Sequence, residues 1–411
     1  MAIKLAKNTE DMPSKRQLFL SHVAQTSDFP LMLEVEKADG MYIYTSNGDR
    51  YFDLNSGISV SSLGHRHPKV MAAIQEQLDK HLHTMVYGEH IQHAQIAFAK
   101  KLTGLIDDSL ESVYYFMSGT EAVEGAMKLA KRYTGRHQII SCSNAYHGST
   151  QGAESLRSDH EYSRAFLPLL PGISHITFND ASELDQINHN TACVILEPVQ
   201  AEAGVHPPVN NYLQKVRARC SEVGALMVLD EIQTGFGRTG RLFAHEKYEV
   251  VPDVLCIGKA MGGGMPIAAM VSSLEIMKSL QKNPMLGHIT TFGGHPVSCA
   301  AALGNLTALL EENIITPLLE KEKVFLDKLK HPIIKEVRSS GLMMAVELTK
   351  RKYLKHVVAH IIEQKAIVDY FLFNDRSFRL APPLIISLEQ VDEACEIILT
   401  ACEYAEGRYG G

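Results

Sequence analysis

Between Val113 and Ser272 the chain alternates two kinds of hydrophobic spacing. Short runs rich in β-branched and apolar residues (VYYFM, QIISCS, HITF, ACVILEPV, ALMVLDEI, DVLCIG and AAMVSS) are separated by stretches in which apolar positions recur every three or four residues. Continuous apolar runs suit strands buried on both faces, and the intervening stretches suit amphipathic helices. Over 120–134, Ala122, Val123, Ala126, Met127, Leu129 and Ala130 fall on one stripe, and 210–223 is similarly two-faced. Strands alternating with helices predict an α/β fold with a largely parallel sheet covered on both faces.

The pattern changes after Pro296. Long helical periodicity over about 297–313 and 317–330 leads into VRSSGLMMAVEL, a further helix, the strand-like IVDYFLF and a last helix from about Leu388. Helix–strand–helix–strand–helix predicts a smaller α+β unit. Near the start, MYIYTSNGDRYFDLNSG reads as a hairpin. The expected organisation is an N-terminal segment, 1–55, packing with the small domain, a large domain at 56–300 and a small C-terminal domain at 301–411.

Composition narrows the class without naming a function. At 411 residues, 45% hydrophobic and 21% charged, the chain suits a globular protein with more than one core. A formal charge of -7, with Lys and Arg scattered among acids, gives no basic face for nucleic acid or an anionic membrane. Seven cysteines lie far apart without CxxC pairs and read as reduced core residues. MAIKLAKNTEDMPSKR has no apolar leader core, and no stretch approaches the roughly 20 apolar residues of a membrane span, so a cytoplasmic protein is expected.

Three segments carry chemistry. In VYYFMSGTEAVEG a strand runs into Ser118-Gly119-Thr120 and then a helix, whose free N–H groups, dipole, close-approach glycine and hydroxyls suit an anion. The same residues would suit an ordinary capped helix, with Glu121 or Glu124 as the acidic partner. The segment matches neither a Walker loop nor a dinucleotide fingerprint, which argues against ATP and NAD. In ALMVLDEIQTGFGRTG a buried strand delivers Asp230 to its carboxyl end, where ligands of open α/β sheets sit. Asp230 could be a metal ligand, a base, the partner of a protonated ring nitrogen, or an acid starting a turn. In DVLCIGKAMGGGMP an apolar strand delivers Lys259 into a glycine-rich turn. A lysine taken out of water loses its proton more readily and can form an imine, whereas a surface lysine would keep its charge in solvent.

Pyridoxal phosphate (PLP) chemistry needs a phosphate cradle, an acid at the pyridine nitrogen and an imine-forming lysine, and here all three occur in that order. At this point the chain resembles the class III aminotransferases of PLP fold type I, the ornithine, acetylornithine and 4-aminobutyrate aminotransferase group. The resemblance extends from SGISVSSLGHRHPKV through SGTEAVEGAMKLA, YHG, EPVQAEAGV, LDEIQTGFGRTG, GKAMGGG and TTFGGHP to FRLAPPL. It implies that Ser118, Gly119 and Thr120 cradle the phosphate, that Tyr146 stacks on the ring with His147 beside it, and that Asp230 holds the ring nitrogen. It further implies Gln233 near the ring hydroxyl, Glu197 at the cofactor, Lys259 as the Schiff-base lysine, and Thr291 reaching the phosphate of a neighbouring subunit in a homodimer with shared sites. Glu202 and Arg379 match the pair in which the acid can release the arginine for a substrate carboxylate; the same pair could be a plain structural ion pair.

Two departures bear on substrate. The family's arginine after the aromatic-x-Gly segment is replaced by Ser149, so donors held by that guanidinium are not expected unless Arg157 or Arg66 substitutes, and Ala201 stands where glycine is common. The histidines at 65, 67, 81, 83, 90 and 93 lack a completing carboxylate or cysteine, so no metal is expected. The expected activity is transfer of an amino group from an amino acid or ω-amine to a keto acid, with 2-oxoglutarate as acceptor, by a ping-pong mechanism. An aminomutase or racemase of the same fold is the alternative.

Overall fold

The computed structural model describes residues 13–409; the first twelve residues, on which part of the leader reading rests, lie outside it. Its centre is a seven-stranded sheet. In chain order its strands are β4 (Ser112–Phe116), β5 (Gln138–Cys142), β6 (Ile173–Ile176), β7 (Thr191–Leu196), β8 (Leu226–Asp230), β9 (Val254–Ile257) and β10 (Ala268–Ser272), arranged 4-10-9-8-7-5-6. All pairings are parallel except those of β10, which runs antiparallel to both β4 and β9. Each expected strand of this region is present.

The period-two alternation explains the two layers. Met227 and Leu229 of β8, Leu255 and Ile257 of β9, and Ala269 and Val271 of β10 enter one apolar cluster. Their neighbours Leu226, Val228, Val254, Cys256, Ala268 and Met270 enter another. Side chains of opposite parity face opposite sides of a sheet, so both faces are covered. The helix Gly119–Thr134 supplies much of the second layer through the predicted stripe. It stops at Gly135, whose φ of 68° is left-handed and suits glycine. All seven cysteines are free and buried.

Two four-stranded sheets flank this centre. One joins β1 (Val35–Asp39), β2 (Tyr42–Thr45) and β3 (Arg50–Asp53) to β13 (Ala366–Ile367); the other is β11 (Ile334–Ser340), β12 (Met343–Leu348), β15 (Ser377–Leu380) and β14 (Asp369–Tyr370), ordered 11-12-15-14. Two readings change here. VRSSGLMMAVEL is a hairpin, with β11 and β12 antiparallel around Gly341-Leu342. IVDYFLF is two short strands: β13 pairs with β3, and after Val368 the chain crosses to pair β14 with β15. The last helix is Leu388–Tyr409, and no helix among the described residues is long and apolar enough to cross a membrane.

Arg238, fully buried in the loop after β8, ties these parts together. It donates to the carbonyls of Leu342 and Pro382 and to the hydroxyls of Ser56 and Ser62, at 2.7–3.3 Å. Burial pushes its pKa down to about 9.

Candidate active site

The carboxyl ends of β4, β5, β7, β8 and β9 point the same way, and each delivers one part of the site. Gly119 and Thr120 follow β4, Tyr146 and His147 follow β5, Glu197 follows β7, Asp230 ends β8 and Lys259 follows β9. Open α/β sheets bind ligands at that edge. These residues, with Gln233, Ile232, Gly148, Ser149 and Thr150, line one cavity of about 430 Å³.

At one end the helix Gly119–Thr134 presents its first N–H groups, which have no partner within a helix. Gly119 lets another group approach: a Cβ there would sit 2.9 Å from Ile232 Cδ1. Thr120 contributes differently from expectation. Its hydroxyl lies 2.7 Å from that of Thr150, which itself donates to Glu124 Oε1 at 2.7 Å, so the Thr120 hydroxyl is engaged and its backbone N–H is what remains for an anion. Glu121 turns back to accept the N–H groups of Met117 and Ser118, the capping arrangement considered from the sequence.

The floor is a buried acid cluster. Asp230 Oδ2 lies 2.7 Å from His147 Nδ1, and Oδ1 accepts the Ile232 N–H at 3.0 Å. Burial opposes protonation of His147, but its bond to Asp230 and the charges of Asp230 and Glu197 prevail, and its pKa is raised. Burial pushes Glu197 up to about 8, with the charges of Asp230 and Glu202 adding to the effect. His147 Nε2 and Glu197 Oε2 are buried without hydrogen-bond partners, which leaves two polar atoms in the cavity wall unsatisfied by protein.

Lys259 also lines the cavity, at the start of a 3₁₀ turn and with a φ of 46°, a left-handed conformation uncommon for a side chain larger than glycine's. Burial lowers its pKa, helped by the charge of Arg379 and opposed by Glu202, Asp230 and Glu197. A buried amine whose charged form is destabilised, a helix N-terminus and a buried acid around one cavity fit pyridoxal phosphate. Lys259 would take its carbonyl, the N–H groups of Gly119 and Thr120 its phosphate and Asp230 its ring nitrogen, with Tyr146 and Ile232 as walls for the ring.

Glu202 and Arg379, both buried, form an ion pair beside the cavity, reached through Gln233 Nε2, which lies 3.4 Å from Glu202 Oε1. Among the described residues lining the cavity, Lys259 is the only lysine or arginine. Ser149 is exposed, its hydroxyl 3.2 Å from that of Tyr146. Neither candidate substitute for the missing arginine enters the cavity lining. Arg157 is buried against Tyr162 and paired with Glu154 and Asp159, while Arg66 is exposed. Ser118 is also outside the lining, and Thr291 is exposed at the edge of a separate groove with Phe116, Glu124 and Phe292.

Sequence reasoning missed Ile232 and Thr150. Ile232 carries no chemical signal, although its place two residues after Asp230 could have marked it as a wall; Thr150 follows Ser149 in a segment already singled out.

Comparison with known proteins identifies the family. The family model Aminotransferase class-III matches residues 23–402. A crystal structure of ornithine aminotransferase from Toxoplasma gondii, described as having partial occupancy of PLP at its active site, superposes with a TM-score of 0.89 at 30% identity, covering 96% of this chain and 94% of that one. An (S)-enantioselective omega-transaminase from Thermomicrobium roseum matches with a TM-score of 0.89 at 28% identity, over 95% and 98% of the two chains. A transaminase from the marine bacterium Virgibacillus matches with a TM-score of 0.89 at 26% identity, over 95% and 98%. From the length of the family match and the transaminases that superpose on nearly the whole fold, the chain belongs to the class III aminotransferases and is a pyridoxal-phosphate-dependent aminotransferase.

Proposed function

We propose that this aminotransferase moves an amino group from an ω-amine or amino-acid donor to a keto acid, 2-oxoglutarate, in two alternating half-reactions at one site. Gly119 and Thr120 bind the phosphate through their backbone N–H groups, and Tyr146 and Ile232 confine the ring. Asp230, oriented by His147, keeps a proton on the ring nitrogen. The cofactor, when bound, supplies an electron-accepting ring at the substrate carbon that loses its proton. Lys259 holds the cofactor and then moves that proton, a task suited to an amine whose charged form burial has destabilised.

The observation that carries the two-substrate reading is the Glu202–Arg379 pair. A bare guanidinium would repel a cationic donor and leave an apolar one facing an unpaired charge. With Glu202 over it, the site accepts an amine that has no carboxylate beside the reacting carbon; with Glu202 withdrawn, Arg379 offers a bidentate fork to the acceptor's carboxylate. An isomerase with a single substrate has no need of such a pair, which favours transfer over the aminomutase or racemase alternative.

A homodimer belongs to the same proposal. Ile91, Leu82, Met285, Leu286 and Ile289 are exposed apolar residues, and Met285, Leu286 and Ile289 share a groove with Tyr87. Exposed apolar side chains gathered in a groove are suited to burial against a second copy, and Ile289 also borders the groove of the exposed Thr291.

A panel of amines and amino acids, each offered with 2-oxoglutarate and with pyruvate and followed at the cofactor's visible absorbance, tests the proposal. The expected result is turnover with ω-amines and 2-oxoglutarate. Turnover of one amino acid without any keto acid would support the isomerase instead.

A further inference from the structure

The carboxylate of Glu202 is shared among donors from three segments. Its Oε1 accepts from Arg379 Nη2 and Gln233 Nε2, and its Oε2 accepts the backbone N–H of Leu372 at 3.3 Å. The two segments are joined as well, since Phe373 N donates to Glu202 O at 3.1 Å and the Asn374 side-chain Nδ2 to Ala203 O at 3.2 Å.

Of the two charged partners, Arg379 is the fixed one. It lies within β15, opposite Ala345 on β12 and Asp369 on β14, and its guanidinium carbon is 4.8 Å from the centre of the Phe371 ring. Phe371 and Ala345 pack with Val199, Ala201 and Val205 in one apolar cluster. Glu202 sits in an irregular turn between β7 and the helix Tyr212–Val223; its main chain is held by the same cluster and by Phe373 N, so its side chain is the part that can swing. Exchanging a donor for a carboxylate-bearing acceptor therefore requires Glu202 to move, and moving it breaks the bond to Leu372 together with the ion pair.

We propose that the backbone N–H of Leu372 is a latch that holds Glu202 over Arg379, so that this segment sets how readily the site admits a carboxylate. Removing the N–H weakens the closed arrangement and leaves Arg379 intact, so carboxylate binding tightens. A hydrogen bond to a charged acceptor corresponds to roughly tenfold or more in affinity. Leu372 is 39% exposed, so shortening its side chain while keeping the N–H is a mild control. The proposal rests on Arg379 being the carboxylate-binding group.

The test uses the holoenzyme and glutarate, a dicarboxylate with neither carbonyl nor amine, titrated calorimetrically into wild type, Leu372→Pro, Leu372→Ala and Arg379→Ala. Leu372→Pro is expected to bind glutarate about tenfold tighter than wild type, and Leu372→Ala to match wild type. Equal affinity in the proline and alanine variants overturns the latch. Should the proline variant not fold, hydrogen exchange at the Leu372 amide of wild type decides: faster exchange with saturating glutarate supports the latch, and unchanged exchange overturns it. Wild-type glutarate affinity in Arg379→Ala would instead remove the carboxylate-site reading beneath it.

Discussion

His147 and Asp230, 83 residues apart in the chain, meet as a buried pair, with Nδ1 2.7 Å from Oδ2. The imidazole fixes one oxygen of the carboxylate and the Ile232 N–H fixes the other, so Asp230 has a single orientation toward the cavity. Asp230→Ala is expected to retain part of its cofactor, because the phosphate and Lys259 contacts remain, yet to lose about a hundredfold or more in turnover. His147→Ala should lose less, since it acts through Asp230. Comparing bound-cofactor absorbance with kcat in the two variants checks this; near-normal turnover in Asp230→Ala would show that the ring lies elsewhere.

Burial lowers the pKa of Lys259, so its neutral, nucleophilic form is present at lower pH than in an exposed lysine. Capture of pyridoxal phosphate by apoprotein should accelerate as pH rises and level off below the ordinary lysine pKa of about 10.4. Lys259→Ala should lack the visible band at every pH. Fixing the cofactor with borohydride and mapping the labelled peptide locates the attachment; a label on any other lysine contradicts the assignment.

Glu197 makes the unliganded protein sensitive to pH in a stated direction. Its carboxyl is raised from 4.5 to about 8, so between those values the folded chain holds a proton that the unfolded chain has released. Stability contributed by this group is therefore present below pH 4.5 and declines as pH rises toward 8, by on the order of a few kcal/mol. Urea unfolding of the apoprotein at pH 5.5, 6.5 and 7.5 should show that decline, flattened in Glu197→Gln. Parallel curves for the two proteins would mean that Glu197 is ionised throughout.

Much of this site was legible because chemistry and punctuation coincide in the chain. Asp230 and Lys259 each end an apolar run and precede glycines, and parallel strands then carry them to one edge. Other parts depend on contacts that local pattern does not encode. Every residue but proline has a backbone N–H, so nothing in Leu372 marks its bond to Glu202. IVDYFLF is a single apolar run, and its division between two sheets comes from long-range pairing of Ile367 with Asp53 and of Asp369 with Arg379. Ile232 is one more isoleucine until Gly119 and Gly258 are seen to close on it. The Thr120 hydroxyl looked available because Thr150, thirty residues later, had no evident reason to meet it.

Glu202→Ala tests the masking half of the switch. Leaving Arg379 uncovered in a buried site should slow the half-reaction with an ω-amine by tenfold or more, through the cost of an unpaired buried charge, while glutarate binds more tightly. Stopped-flow measurement of the amine half-reaction, with glutarate affinity alongside, checks both. A slower amine reaction without tighter glutarate binding would indicate general damage to the site.

Single-turnover kinetics of the two half-reactions in Arg379→Ala test the central claim most directly. The guanidinium is buried, is held against Phe371 and is paired with Glu202, so its removal should cost the half-reaction with 2-oxoglutarate or glutamate about 2–4 kcal/mol, the order expected for a lost charge-assisted carboxylate contact. The amine half-reaction should change much less. Equal losses in both halves would contradict the account, because they would make Glu202 and Arg379 a structural ion pair that takes no part in choosing between substrates.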